Sequence, residues 1–169
     1  MIHVCPLARI EEVAASSGAG CMVTLLTDGT PVTRPARLLA DDHLILTMHD
    51  ITEELPEMTP PGEAHVAALL DFAGRWDRKA PMLIHCFAGI SRSTAAAYTV
   101  AAALAPKRDE VELAATLRRL SPSATPNIRI VSIADWLLGR KGRMVAAIES
   151  IGRGAEATEG IPFALKIDG

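Results

Sequence analysis

Apolar and polar positions along the chain change period repeatedly. Ile2–Cys5, Cys21–Leu26, His43–Met48 and Pro81–Cys86 are short apolar runs of strand length, and turn residues such as Asp28-Gly29 close them. Elsewhere the spacing switches to three and four residues. Leu7–Ala15 reads as a short helix, and Glu63–Arg78 as a longer one with Val66, Leu69, Leu70, Ala73 and Trp76 along one face. Ser93–Ala105, Asp109–Leu120 and Asn127–Leu138 follow as helices punctuated by Pro106, Pro122 and Pro126, and Gly142–Ile151 reads as a fourth. Thr30–Ala40 and the Pro- and Glu-rich Asp50–Pro61 are loops. Ile161–Ile167 is either a last short strand or an extended arm. Strands interleaved with helices predict an α/β fold: a central, mostly parallel sheet flanked by helices on both faces, with the site beyond a strand's carboxyl end. Residues 1–169 are expected to form one domain, and the glycines at 152, 154 and 160 suggest a loosely attached C-terminal arm at 152–169.

Composition narrows the classes. With 49% hydrophobic residues and a net charge of only −3, a disordered chain is ruled out. A pI near 5.9 argues against a nucleic-acid partner. The three cysteines include no CxxC pair, and no basic segment precedes a long apolar run at the N-terminus, so a reducing cytoplasm is expected. The alanine-rich stretch Thr94–Ala105 falls short of the roughly 20 residues that a membrane span needs, and no membrane partner is expected.

The chemistry concentrates in His85-Cys86-Phe87-Ala88-Gly89-Ile90-Ser91-Arg92-Ser93-Thr94. A cysteine ends a buried strand, a tight loop follows, and an arginine opens a helix. This order aims the backbone N–H groups of Phe87, Ala88, Gly89, Ile90, Ser91 and Arg92 at one spot, a nest for a tetrahedral oxyanion at a helix N-terminus. Gly89 permits the sharp turn, and the planar fork of Arg92 suits two phosphate oxygens at once. The same field favours the thiolate of Cys86, a nucleophile that can form a covalent phosphocysteine, while the Ser93 hydroxyl can donate to the sulfur as it leaves.

This stretch resembles the signature loop of the cysteine-based protein tyrosine phosphatases, and its Ser91-Arg92-Ser93 ending resembles the compact dual-specificity branch. Ala97-Tyr98, the Asp109–Leu120 helix and Pro126-Asn127 fit that branch's layout, so the likeness spans roughly residues 43 to 139. The resemblance implies Cys86 as nucleophile, Arg92 as phosphate clamp and Ser93 as helper hydroxyl, with no cofactor and no metal. It also implies an aspartate on a loop well upstream of the cysteine as general acid, because a phosphate ester leaves poorly unless its oxygen is protonated. Asp50 follows a strong strand and opens a Pro-rich loop, and it fits best. The larger enzymes' Trp-Pro-Asp triplet is absent. Asp41 and Asp42 precede the strand, Asp71 and Asp77 fall in a helical pattern, and Asp28 belongs to a turn.

The expected activity is hydrolysis of phosphomonoesters on a phosphorylated protein or small molecule. Phosphotyrosine is the leading group, with phosphoserine and phosphothreonine as alternatives. The loop carries no lysine or arginine before Arg92, which disfavours multiply charged lipid headgroups. A phosphate-binding pseudophosphatase and a sulfurtransferase or arsenate-reductase type of cysteine enzyme stay open as rival readings. His85 is expected to orient the loop, and His3, His43, His49 and His65 show no metal-ligand spacing. Cys5 and Cys21 read as small core residues, with a redox disulfide to Cys86 as the alternative. Arg34 and Arg37 read as solvated loop charge, Arg129 as a neighbour of Asn127, and Glu53, Glu54 and Glu57 as a wet acidic surface.

Overall fold

A computed structural model describes residues 1–168. Its sheet comprises β1 (Ile2–Pro6), β2 (Cys21–Leu26), β3 (His43–Thr47), β4 (Met82–Cys86) and β5 (Phe163–Leu165), in the order β3-β2-β4-β1-β5. The first four strands are parallel, and β5 adds antiparallel at the β1 edge. The central strands β2 and β4 are buried along their whole length, which accounts for apolar runs interrupted only by Thr24 and His85.

Helices cover both faces unequally. On one face lies α1 (Ile10–Ser17), where Ile10, Val13 and Ala14 meet Cys5, Met22 and Leu83. The predicted Leu7–Ala15 helix is split, because Leu7–Arg9 forms a 3-10 turn directly after Pro6. The other face carries α2 (Glu63–Arg75), α3 (Arg92–Leu104), α4 (Glu110–Leu120), α5 (Ile128–Leu137) and α6 (Arg143–Ser150). At the centre of this layer, α3 touches β1, β2, β4, α2, α4 and α5. It is buried from Arg92 through Ala102, and Ala95, Ala96, Ala97, Ala101 and Ala102 let its backbone sit close to neighbours on every side. Tyr98, fully buried, donates to the Glu110 carbonyl at 3.1 Å, and the Glu110 carboxylate pairs with Arg140 at 2.9 Å and Arg143 at 3.1 Å. No helix among the described residues is long and apolar enough to cross a membrane.

The C-terminal stretch corrects the expectation of a loosely attached arm. Arg118 holds the carbonyls of Ile151 and Gly152, β5 pairs with Ile2–Val4, and Arg108 Nη1 donates to the carbonyls of Lys166 at 2.7 Å and Ile167 at 2.9 Å. Leu165 and Ile167 are buried, so the segment closes an otherwise open sheet edge with apolar side chains turned inward. Gly169, the last residue of that predicted arm, lies outside the described residues. Leu165→Ala is expected to cost about 2–5 kcal/mol, the range for truncating a fully buried leucine, measured by urea denaturation. A loss below about 0.5 kcal/mol, typical of surface positions, would mean that the segment is not part of the cooperative unit.

Candidate active site

The carboxyl ends of the four parallel strands converge on one loop. Cys86 is the last residue of β4, and Phe87–Ser91 turn directly into α3. Gly89 adopts φ +72°, and a Cβ there would meet Pro6 N at 2.7 Å and the Cys5 carbonyl carbon at 3.0 Å. No other residue type combines that dihedral with that approach to the end of β1. Around the turn, the Phe87 carbonyl accepts from Leu7 N at 3.0 Å, that of Ile90 from Thr125 N at 3.0 Å, and that of Ser91 from Asn127 N at 3.3 Å. The peptides are trans, so a carbonyl turned outward sends the following N–H inward. Gly89 N lies 3.3 Å from the Cys86 sulfur as a donor, consistent with that orientation.

The sequence-predicted side chains meet at this loop. Cys86 Sγ is 3.1 Å from Ser93 Oγ, and both residues are buried. Arg92 is 6% exposed; its Nη1 donates to the Met48 carbonyl beyond β3 at 2.8 Å and reaches Thr27 Oγ1 beyond β2 at 3.5 Å. Its Nε is buried, makes no hydrogen bond, and lies 3.8 Å from Asp50 Oδ2. Asp50 Oδ1 accepts from Ser91 Oγ at 2.7 Å and from Asn127 Nδ2 at 2.8 Å. By contrast, Asp41 and Asp42 sit before β3, at the opposite end of the sheet.

Two residues do work that the sequence reading did not assign to them. Asn127 caps α5, its Oδ1 accepting from Arg129 N and Ile130 N, while its amide donates to Asp50 and to the Ile51 carbonyl. Pro126-Asn127 ahead of an apolar helix is the signal for the cap, but the link to Asp50 spans 77 positions and leaves no local trace. Thr24 joins two rings: its Oγ1 is 2.6 Å from His85 Nε2 and 2.7 Å from His43 Nε2. His85 Nδ1 faces the Cys86 carbonyl at 3.4 Å, and a carbonyl only accepts. The network therefore assigns the His85 proton to Nδ1, with Nε2 accepting from the Thr24 hydroxyl and that hydroxyl accepting from His43 Nε2–H.

The remaining candidates take supporting places. His49 Nδ1 accepts from Thr59 N, and Arg129 donates to the carbonyls of Pro61 and Thr52, so both brace the loop that carries Asp50. Arg37 donates to the Ala14 carbonyl, away from the site. Glu53, Glu54 and Glu57 are exposed. Cys5 packs with Met22 and Leu83 on the face opposite Cys86, and Cys21 pairs with Met82, about 13 Å back along the strands. Burial pushes both thiols up to about 12. A cavity of about 710 Å³ at that far end is lined by Cys21, Asp41, Asp42, Arg75 and Asp77, with Phe72 and Trp76 as its apolar walls.

Comparison with solved structures agrees with this architecture. The PTP-2 phosphatase of Cydia pomonella superposes with a TM-score of 0.62 at 19% identity, over 80% of this chain and 84% of that one. Human DUSP28 gives 0.59 at 18% identity, over 83% and 92%. The fold is that of the dual-specificity phosphatases. DUSP15 shares that dual-specificity phosphatase fold, with a TM-score of 0.59 at 14% identity over 88% of this chain and 90% of that one. No protein-family model and no curated protein sequence matches the chain.

Burial lowers the His85 imidazole to about 4, with His43 and Arg92 adding to the effect and the Cys86 carbonyl opposing it. The neutral ring is thus built into the fold, whereas the unfolded chain takes up the proton near 6.5. The stability this represents is complete above pH 6.5 and is lost as pH falls toward 4, by up to about 1.4 kcal/mol per pH unit. Denaturation midpoints of wild type and His85→Gln, compared between pH 7 and pH 4, should converge as the pH drops. A constant difference across that range would contradict a neutral buried His85.

Proposed function

We propose that the protein is a metal-independent phosphatase that hydrolyses phosphomonoesters through a phosphocysteine on Cys86. The observation that carries this reading is the buried Arg92 Nε, a donor that makes no hydrogen bond, 3.8 Å from the Asp50 carboxyl and at the end of the turn that begins at Cys86. A buried guanidinium N–H left unpaired is costly, and a phosphate oxygen would satisfy it. The loop amides supply further donors to the same group, stabilising the charge that spreads over the equatorial oxygens in the transition state.

In the first step the Cys86 thiolate attacks phosphorus, and the bond to the ester oxygen breaks as Asp50 gives that oxygen its proton. Asp50 Oδ1 already accepts two hydrogen bonds, so Oδ2 is the oxygen left to exchange a proton with the substrate. In the second step water attacks the phosphocysteine, the Asp50 carboxylate takes the water's proton, and the sulfur–phosphorus bond breaks. The Ser93 hydroxyl, 3.1 Å from Sγ, stabilises the departing thiolate.

Phosphotyrosine on a protein is the favoured substrate group. Its aryl oxygen leaves readily, and Phe87, 63% exposed at the loop, offers a ring for it to pack against. The neighbouring Glu53, Glu54 and Glu57 are exposed and discourage polyanionic substrates.

Hydrolysis of an aryl phosphate in the presence of EDTA should proceed in the wild type and vanish in Cys86→Ser; equal rates in the two would refute the thiolate mechanism. Asp50→Ala should lower kcat by about 10²–10⁴-fold and remove the limb of the pH–rate profile that requires a protonated acid. An unchanged profile would assign the proton donor to another group.

A further inference from the structure

We infer that the C-terminal segment is a working part of the phosphate loop, with Gly160 as its positioning residue. The inference rests on the reading of 86–92 as a phosphate site. Of the loop carbonyls, Phe87 is held by the chain after β1, and Ile90 and Ser91 by the chain before α5. The middle of the loop lies between these anchors. There the Ala88 carbonyl accepts from Gly160 N at 2.8 Å, and the adjacent Gly89 carbonyl oxygen sits 2.8 Å from where a Gly160 Cβ would lie. That same Cβ would approach the Gly89 carbonyl carbon at 3.3 Å and the Ala88 oxygen at 3.4 Å.

Gly160 is therefore buried directly against two consecutive peptide planes. Those planes are the ones that direct the Gly89 and Ile90 N–H groups to the inside of the loop. The segment is itself fixed on both sides of this contact. Upstream, Ala155 N donates to the Pro122 carbonyl at 2.9 Å and Gly154 N to Thr125 Oγ1 at 3.1 Å; downstream, β5 pairs with β1. Gly160 thus acts as a stop against the outer side of the loop. A methyl group added there has only backbone to push against, and displacing donors by a fraction of an ångström lowers affinity for an anion that needs several at once.

The test is calorimetric titration of inorganic phosphate into wild type, Gly160→Ala and Gly20→Ala. The last variant is a crowding control at the far end of the sheet, where the added Cβ would meet Ala80 Cβ at 2.8 Å. Gly160→Ala is expected to weaken phosphate binding by about tenfold or more and to raise KM for an aryl phosphate in step. Gly20→Ala should lower the thermal midpoint and keep wild-type phosphate affinity. Phosphate affinity within roughly twofold of wild type in folded Gly160→Ala would overturn the inference. Should that variant fail to fold, amide exchange in the wild type decides. Phosphate must slow exchange at Gly160 N–H, because coupling between loop and ligand is reciprocal, and an unchanged rate would overturn the inference. Weakened phosphate binding in Gly160→Ala supports it even if the wild type shows no Cys86-dependent turnover, an outcome that would remove only the hydrolase reading.

Discussion

Peptide planes in the Phe87–Arg92 turn are held with the carbonyls of Phe87, Ala88, Ile90 and Ser91 outward, and the rest of the site is arranged around that orientation. A run of parallel N–H dipoles is unfavourable by itself, so each outward carbonyl needs a donor supplied from elsewhere in the fold. Leu7, Thr125, Asn127 and Gly160 supply those donors from distant parts of the chain. Close approach of Gly89 to Pro6 then sets how deep the loop sits against the sheet. The alanine-rich α3 completes the constraint from behind, because only small side chains let a helix starting at Arg92 run through the centre of the molecule.

Charge is handled with the same economy. Arg92 is buried, and its cost is offset through the hydrogen bond to the Met48 carbonyl and the Asp50 carboxylate 3.8 Å from Nε, although Nε itself makes no hydrogen bond. Asp50 is fixed by Ser91 of the loop and by the α5 cap, so its carboxyl is tied directly to the Phe87–Arg92 turn. Behind the cysteine, His85 and His43 share the Thr24 hydroxyl, and this hydrogen-bonded chain crosses from β4 through β2 to β3. It ties together the three strands whose ends carry Cys86, Thr27 and Met48.

Much of this was legible in the sequence, and the reason differs by element. The strands were readable because parallel, doubly buried strands are nearly continuous apolar runs, and Cys21–Leu26 and Met82–Cys86 are such runs but for Thr24 and His85. The loop was readable because its chemistry is local: thiol, glycine, arginine and serine lie within eight positions. Asp50 was reachable only through a resemblance, since no spacing rule ties a carboxylate to a cysteine on another strand. The roles of Asn127 and Thr24 were hidden because each depends on tertiary contact between segments far apart in the chain. The C-terminal stretch misled for a physical reason. Glycines at 152, 154 and 160 suggest looseness, yet Gly154 and Gly160 are glycine because backbone packs directly against them.

The central claim is that phosphate passes through a bond to one sulfur. Mass spectrometry of enzyme quenched during turnover of an aryl phosphate tests it most directly. The account predicts one added phosphoryl group on the peptide that contains Cys86, accumulating further when Ser93 is replaced by alanine. A phosphoryl group on any other residue, or turnover with no covalent intermediate under either condition, would contradict it.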